Sequence, residues 1–375
     1  MVERAHAPGV RQGVIVAMRL YDVADTIDLA EIEAIATRVA PTAVTRIRLR
    51  RADPKAIAFG VPPVEVGLRP IELELDGTWY TIDAIARIYD FGVVSIALRL
   101  HASDLSWDEF VALSIAVKRT VAEQDAAALW TELRDRLLEL VGPAIQRSTF
   151  RGLEEDYQIT AVREFDEPLL AEELLSRVDL VPLLSGEMKP LSAAARADLL
   201  RHTYSYYTDD LAVLTWDHAF LYEPSGDTDV ADVLEVANAQ LLELRYYDEL
   251  LDRELPRMYD RVAEMRKWVR GLAVRRYAAL ARDLHGLVAE VTELTERVEN
   301  ALKVTEDVYL ARIYAVALDL FRVRAWSNAV DRKLAIIRDT YQMLYDEAAT
   351  GRAELLEATI VALIVLEIIL AFVFG

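Results

Sequence analysis

Apolar residues recur with two different periods along this chain, and the change between them divides it. In residues 10–120 they come in short alternating runs broken by short helical signals. VRQGVIVAMRL is a strand pattern, and Asp28 with Glu31 opens a helix, LAEIEAIATRV, in capping-box fashion. AVTRIRLRR is a strand with alternating basic residues, and IELELDGTWYTID contains Asp76-Gly77, a hairpin signal. ARIYDFGVVSIALRL gives two short strands around residues 90–92, and Ser106 with Glu109 caps a helix that runs to about Ile145. The order then recurs. YQITAVREF is a strand, PLLAEELLSRV and LSAAARADLLRH are helices, and SYYTDDLAVLTWDHAFLYEP is a strand pair; Thr228 begins another helix. The pattern predicts an α+β head over residues 1–255, pseudo-duplicated as two similar halves at about 10–150 and 151–255.

Beyond the head the period becomes that of a coiled coil. Leu284, Leu287, Val291, Leu294, Val298 and Ala301 alternate three and four apart. A second series runs from Tyr309 through Ile313, Leu320, Val330, Leu334, Ile337 and Leu344 to Ala348 and holds phase as one unbroken helix. Asn300 and Thr305 suit a turn and an N-cap between the two. Pro256 suits the first turn of a helix covering about 257–301, with its partner at about 305–348. Residues 256–350 are thus an antiparallel hairpin about 65 Å long at ~1.5 Å per residue. Its tip is expected away from the head, and Gly351 is expected to let the chain turn into the next segment.

That segment, 352–375, contains the apolar run ATIVALIVLEIILAFVF from Ala358 to Phe374. It predicts a transmembrane anchor built on Ile360, Leu363, Ile364, Leu366, Ile368, Leu370 and Phe372. Seventeen residues give roughly 25 Å of helix against a hydrocarbon core of about 30 Å. The alternative is a C-terminal helix buried in a soluble bundle. Glu367 interrupts the run. A charge there costs about 2.5–3.5 kcal/mol near the middle of a span. Its carboxyl is therefore protonated, near an interface, or turned toward another chain, which would make the protein a homo-oligomer.

Composition narrows the chemistry. The formal net charge of -20 disfavours bulk nucleic-acid binding, and the absence of cysteine removes disulfides, thiolate metal sites and cysteine nucleophiles. The N-terminal MVERAHAPGVRQG lacks the pattern of a signal peptide, which places the head on the cytoplasmic side of the membrane. Asp90-Phe91-Gly92 matches the kinase magnesium tripeptide, but no glycine-rich phosphate loop accompanies it. His6, His101, His202, His218 and His285 show no ligand spacing. No catalytic residue, cofactor or metal is predicted. One basic stretch stands out. Arg266, Lys267, Arg270, Arg275 and Arg276, with Trp268 among them, follow a heavily acidic helix. Three readings stay open: pairing within the chain, anionic lipid headgroups, or ribosomal RNA.

Three motifs carry a family resemblance. YDFGVVSIALRL is similar to a hairpin, and LLELRYYDELLDRELPRMYDRV (Tyr246, Tyr247, Asp248 and Arg253 among its residues) resembles a central helical signature. RAELLEATIVALIVLEIIL resembles the ending of the same family, called required for meiotic nuclear division, or YagE-like, a family of unknown function. The likeness runs from about residue 40, although Ser95–Ala97 replaces an aromatic-containing stretch. The resemblance implies a C-terminal membrane anchor. It would lie in the cytoplasmic membrane of a bacterium, or in the mitochondrial inner membrane or endomembrane of a eukaryote. It also implies a part in holding translation machinery, ribosomes included, at that membrane. The function expected is a membrane-bound scaffold or tether that contacts membrane lipids and a protein partner. The alternative is a membrane-associated enzyme with a pocket between the halves of the head.

Overall fold

The computed structural model describes residues 7–39, 44–46, 57–122, 126–148, 152–265, 270–304 and 309–374. The chain forms two compact units, Met1–Glu243 with Arg297–Arg324, and Leu244–Glu296 with Ala325–Gly375. The first elements are β1 (Val10–Asp22), β2 (Ala24–Ile27), α1 (Leu29–Val39), β3 (Val44–Arg46), β4 (Ile57–Phe59) and β5 (Val64–Gly67). Next come β6 (Ile71–Leu75), β7 (Thr78–Ile88), β8 (Val93–Leu105), α2 (Trp107–Ala122), α3 (Ala126–Val141) and β9 (Ile145–Ser148). They are followed by β10 (Glu154–Phe165), α4 (Ala171–Arg177), α5 (Val181–Ser185), α6 (Ala193–Leu199), β11 (Thr203–Tyr204), β12 (Leu211–Leu214) and β13 (His218–Tyr222). The chain ends in α7 (Asp229–Met265), α8 (Arg270–Glu299), β14 (Leu302–Val304), α9 (Tyr309–Leu320) and α10 (Val323–Phe374).

The fold is mixed α+β, with one ten-stranded sheet in the order β11-β12-β13-β10-β1-β8-β7-β5-β3 and β6 paired to β7. Strand, helix, hairpin and helix follow one another in both halves of the head. The pairing differs, however: β8 joins β1 antiparallel, whereas β13 joins β10 parallel. Local chemistry explains the turns. Asp76 and Gly77 both have positive φ, as a two-residue β6–β7 turn requires. Gly92 has φ +98°, and a Cβ there would lie 1.6 Å from the Ala24 carbonyl oxygen. The Asp90-Phe91-Gly92 turn is thus pressed against the chain leaving β1. Phe91 is buried, and Ile27 N–H donates to the Asp90 carbonyl at 3.0 Å. Ser106 and Glu109 form the expected reciprocal cap. The helix they open does not reach Ile145 unbroken: α2 ends at Ala122 and α3 begins at Ala126. Of AVTRIRLRR, only 44–46 fall among the described residues.

Strand alternation gives the sheet two distinct faces. On one face Ile15, Ile96, Leu98, Val162 and Phe220 join the main core, with Trp107 and Phe110 of α2 and Trp130, Leu133 and Leu137 of α3. The Trp107 ring meets Phe165 and Phe220 at 6.3 and 5.9 Å. A polar chain is sealed into this layer. The Ser114 hydroxyl lies 2.9 Å from the Thr160 hydroxyl, which lies 2.8 Å from His218 Nε2. Gln158 Nε2 donates to Ser114 Oγ at 2.8 Å. Burial, reinforced by the Lys118 charge, lowers the His218 pKa to about 3.

The opposite face receives the first turns of α7, and one buried cation holds them there. Arg87 on β7 donates through Nε to Glu65 on β5 at 3.1 Å and through Nη1 to Glu235 on α7 at 2.8 Å. The same Nη1 lies 2.6 Å from Asp232. Arg87, Asp232 and Glu235 are all buried. Burial alone would lower the Arg87 pKa, but Glu235 and Asp232 outweigh it and raise it. Burial raises the Glu235 pKa against the pull of Arg87.

The helical part departs from the expected hairpin in four ways. Pro256 does not start a helix; it lies inside α7, whose Leu251, Met258 and Val262 are buried on one stripe. That packing carries the helix past the backbone hydrogen bond a proline forgoes. The second helix is not unbroken. Arg322 takes φ 55° between α9 and α10, beside Phe321, whose ring sits 5.4 Å from Tyr157 of β10. Gly351 introduces no turn, since α10 runs through it to Phe374. Finally, the tip is on the head: β14 pairs antiparallel with β4, Leu302 opposite Phe59.

The second unit is a three-helix arrangement rather than a pair. Lys333 of α10 bonds Asp248 of α7 at 2.7 Å and lies 2.6 Å from Asp252. His285 of α8 meets Tyr341 of α10 at 5.3 Å, and Arg261 reaches Asp283 at 3.8 Å. The seam residues Leu284, Val291, Leu294, Val330, Leu334, Ile337, Leu344 and Ala348 are buried as their spacing predicts.

Three measurements test this fold. Arg87→Met leaves buried carboxylates without their cation and is expected to cost about 3–5 kcal/mol in denaturant unfolding. Adding Asp232→Asn and Glu235→Gln should restore most of that loss; a cost under about 1 kcal/mol for the single change would show that the network holds nothing. His218 binds its proton more weakly folded than unfolded. Stability present above pH ~6.5 is therefore lost as pH falls toward 3, at about 1.4 kcal/mol per unit. The decline between pH 6.5 and 5 should be shallower in His218→Asn. Facing antiparallel residues lie within disulfide reach. In this cysteine-free chain, Phe59→Cys with Leu302→Cys should therefore oxidise to an intramolecular disulfide, and free thiols under oxidising conditions would place the tip elsewhere.

Candidate functional site

On its second face the sheet is not fully covered. Where α7 begins, a cleft of about 290 Å³ opens between helix and strands. Its floor follows from register. Arg99 on β8 faces Val16 on β1, which faces Ile159 on β10. One row along, His101 faces Val14, which faces Ala161, which faces Leu221 on β13. Each strand sends alternate residues into the cleft, so an apolar trough is flanked by cations. The roof is Thr228, Ala231, Asp232 and Glu235 of the α7 entry.

The charged groups around this trough differ in how they are engaged. Arg87 is held by three carboxylates. Arg99 has only a 3.6 Å contact with Glu65 and keeps about a quarter of its side chain in solvent. Arg163, at the other end, donates to the Ser225 carbonyl at 3.5 Å, and no carboxylate pairs with it among the described residues. Its guanidinium occupies the space where a Gly226 side chain would stand; a Cβ there would lie 1.8 Å from Nη2. The acids at that rim are turned into their own loop. Glu223 accepts from Ser225 N–H and Oγ at 3.2 and 2.7 Å, and Asp227 accepts from Asp229 N–H at 3.0 Å. Among the described residues no cluster of three or more His, Asp or Glu could hold a metal.

The end of α10 is the other unusual feature. Ten large aliphatic residues from Leu356 to Leu370, including Ile360, Leu363, Ile364, Leu366, Ile368 and Leu370, are 47–65% exposed. They point in every direction around the helix, and Glu367 is exposed among them. This removes the alternative of a terminal helix buried in its own bundle. Among the described residues no helix is long and apolar enough to cross a membrane; the side chain of Phe372 lies outside them.

The other residues singled out in the sequence separate. Tyr246 and Tyr247 are buried with their rings 5.2 Å apart, so neither is offered to a partner. Asp248 pairs with Lys333, and Arg253 lies 3.8 Å from Glu249. Arg266, Lys267 and Trp268 fall outside the described residues, as do the side chains of Arg270 and Arg275; Arg276 is exposed. The His285–Tyr341 contact joins α8 to α10.

A pocket between the halves of the head was expected only as part of the alternative reading, without its lining residues. Its signals were a single Arg99 in the apolar strand VVSIALRL, and acids at 229, 232 and 235 recurring on one side of a helix.

Comparison with known proteins bears on the head. The chain is 27% identical over 243 residues to the "Uncharacterized protein MJ0711" of Methanocaldococcus jannaschii, covering 64% of this chain and 73% of that protein. No solved structure matches the chain. The family described as "Uncharacterized protein MJ0711, N-terminal domain" matches residues 12–228, a span that holds the sheet and every strand of the cleft floor. This chain belongs to that family.

Proposed function

We propose that the protein is a membrane-anchored tether, with α10 entering the bilayer and the head serving as the partner-binding part. The observation that carries this reading is the ring of ten exposed aliphatic side chains on the end of α10. Twelve Leu, Ile, Val and Phe residues between Ile360 and Phe374 favour insertion by about 4–7 kcal/mol, which outweighs the roughly 2.5–3.5 kcal/mol cost of Glu367. The basic stretch that opens α8, close in sequence to Trp268, suits anionic headgroups more than ribosomal RNA or pairing within the chain. Such a helix stands as a single-pass C-terminal anchor with the head on the side of synthesis. A Glu367 facing a second copy would make the anchored form a homo-oligomer. The resemblance to the YagE-like family makes translation machinery, the ribosome included, the partner to try first.

The alternative of a membrane-associated enzyme is favoured by one observation, a cleft across both halves of the head that includes Glu235. Arg87 engages that carboxylate, and the hydroxyls against it, of Ser95 and Tyr89, are themselves buried. The cleft is therefore better suited to holding a ligand than to transforming one.

Flotation on vesicles of mixed zwitterionic and anionic lipid tests the anchor. The full chain is expected to float and to resist alkaline extraction, and a chain ending at Ala353 should stay in the dense fraction. Full-length protein that remains monomeric in buffer without detergent would remove the proposal.

A further inference from the structure

We propose that the cleft between α7 and the second face of the sheet is a binding site for a small amphipathic anion, a carboxylate or phosphate on a compact apolar body. This goes beyond the anchor and requires no reaction.

The floor sets the body of the ligand. Val14, Val16, Ile159 and Ala161 lie on adjacent strands in register, so their side chains form a continuous apolar surface about two strands wide. An apolar trough with a few convergent polar groups is the usual form of a small-molecule site, and about 290 Å³ is at the small end of that range.

The cations set its charge. Arg99 and Arg163 stand at opposite ends of the trough, two strands and four residues apart. That is on the order of 16 Å between backbones, and both side chains can reach inward over it. Neither is engaged in a bidentate carboxylate pair, so each has planar donors to give. The neighbouring carboxylates do not substitute for a ligand. Asp232 and Glu235 share Arg87, and Glu223 and Asp227 are bonded within their own loop. A cationic ligand would meet two guanidinium groups at the ends of the trough, whereas an anionic one would complete them.

Met18 also lines the cleft and offers a local reporter. The full chain, carrying ¹³C-methyl methionine, would be titrated with 2-naphthoate, 2-naphthyl phosphate and naphthalen-2-ylmethanamine. The Met18 methyl resonance would be assigned with Met18→Leu. Ring-current shifts of Met18 should saturate with at least one of the two anions, and the tighter one identifies the acid group. The amine should bind at least tenfold more weakly. Arg99→Gln with Arg163→Gln should weaken the anion by at least tenfold while leaving the Met18 resonance of the free protein in place. An amine that binds as well as the anions, an unchanged affinity in the double variant, or no saturable shift of Met18 would each overturn the proposal. None of these readouts depends on whether the chain floats with vesicles.

Discussion

The head is organised around the guanidinium of Arg87. Taking this cation out of water is costly, and three carboxylates, one from a neighbouring strand and two from a helix, offset the cost only because they converge on it. Their convergence fixes where α7 crosses the sheet. Asp232 and Glu235 are three residues apart on one side of the helix, so both reach the same strand position only if the helix enters at that point. The cleft follows from this. Because α7 is pinned over Arg87, the strand ends carrying Val14, His101 and Arg163 lie beyond its first turn and are left partly open. A purely apolar contact would allow the helix to slide along the trough; a buried charge cluster does not.

The sequence disclosed what is determined locally. Asp76-Gly77 needs two positive φ values and shows it in two letters; Ser106 and Glu109 cap each other across one turn. The seam from Leu284 to Leu294 is buried at the spacing its letters carry. What the sequence concealed was set by tertiary contact. Pro256 looked like a helix start because a proline favours that position, yet packing of Leu251, Met258 and Val262 carries α7 straight past it. Arg322 carries no breaking signal; its positive φ goes with Phe321 packing on Tyr157, a residue more than 150 positions away. The β4–β14 pair joins three residues on each side, too short to show alternation.

The residues that line the cleft were concealed for a related reason. Arg99, Arg163 and Glu235 are far apart in sequence, and each looks like one more surface charge among 42 basic and 62 acidic residues. Only strand register brings the first two to the same trough. The apolar end of α10, by contrast, was plain from composition. What the structure adds is exposure on every side, which separates a helix that needs a partner from one already covered by its own protein.

The two polar clusters of the head lie on opposite faces of one strand, and comparing them explains why one is a site and the other is not. Along β10, Gln158 and Thr160 point toward α2, whereas Ile159, Ala161 and Arg163 point into the cleft. Ser114, Thr160 and His218 make a hydrogen-bonded sequence of hydroxyl, hydroxyl and imidazole that superficially suggests a nucleophile and its base. All three are wholly buried. Burial and the Lys118 charge make His218 a poor proton acceptor, and the hydroxyls it bonds are sealed from solvent. That network pairs hydroxyls, amide and imidazole with one another inside the core, as buried polar groups do, although Gln158 Oε1 is left without a hydrogen-bond partner. The cleft has the reverse balance. Its innermost charges are paired with one another, and its outer guanidinium groups are open to solvent with donors to spare. Access and unmet bonding capacity, more than the types of residue present, distinguish a place where something binds from a place that is merely held together.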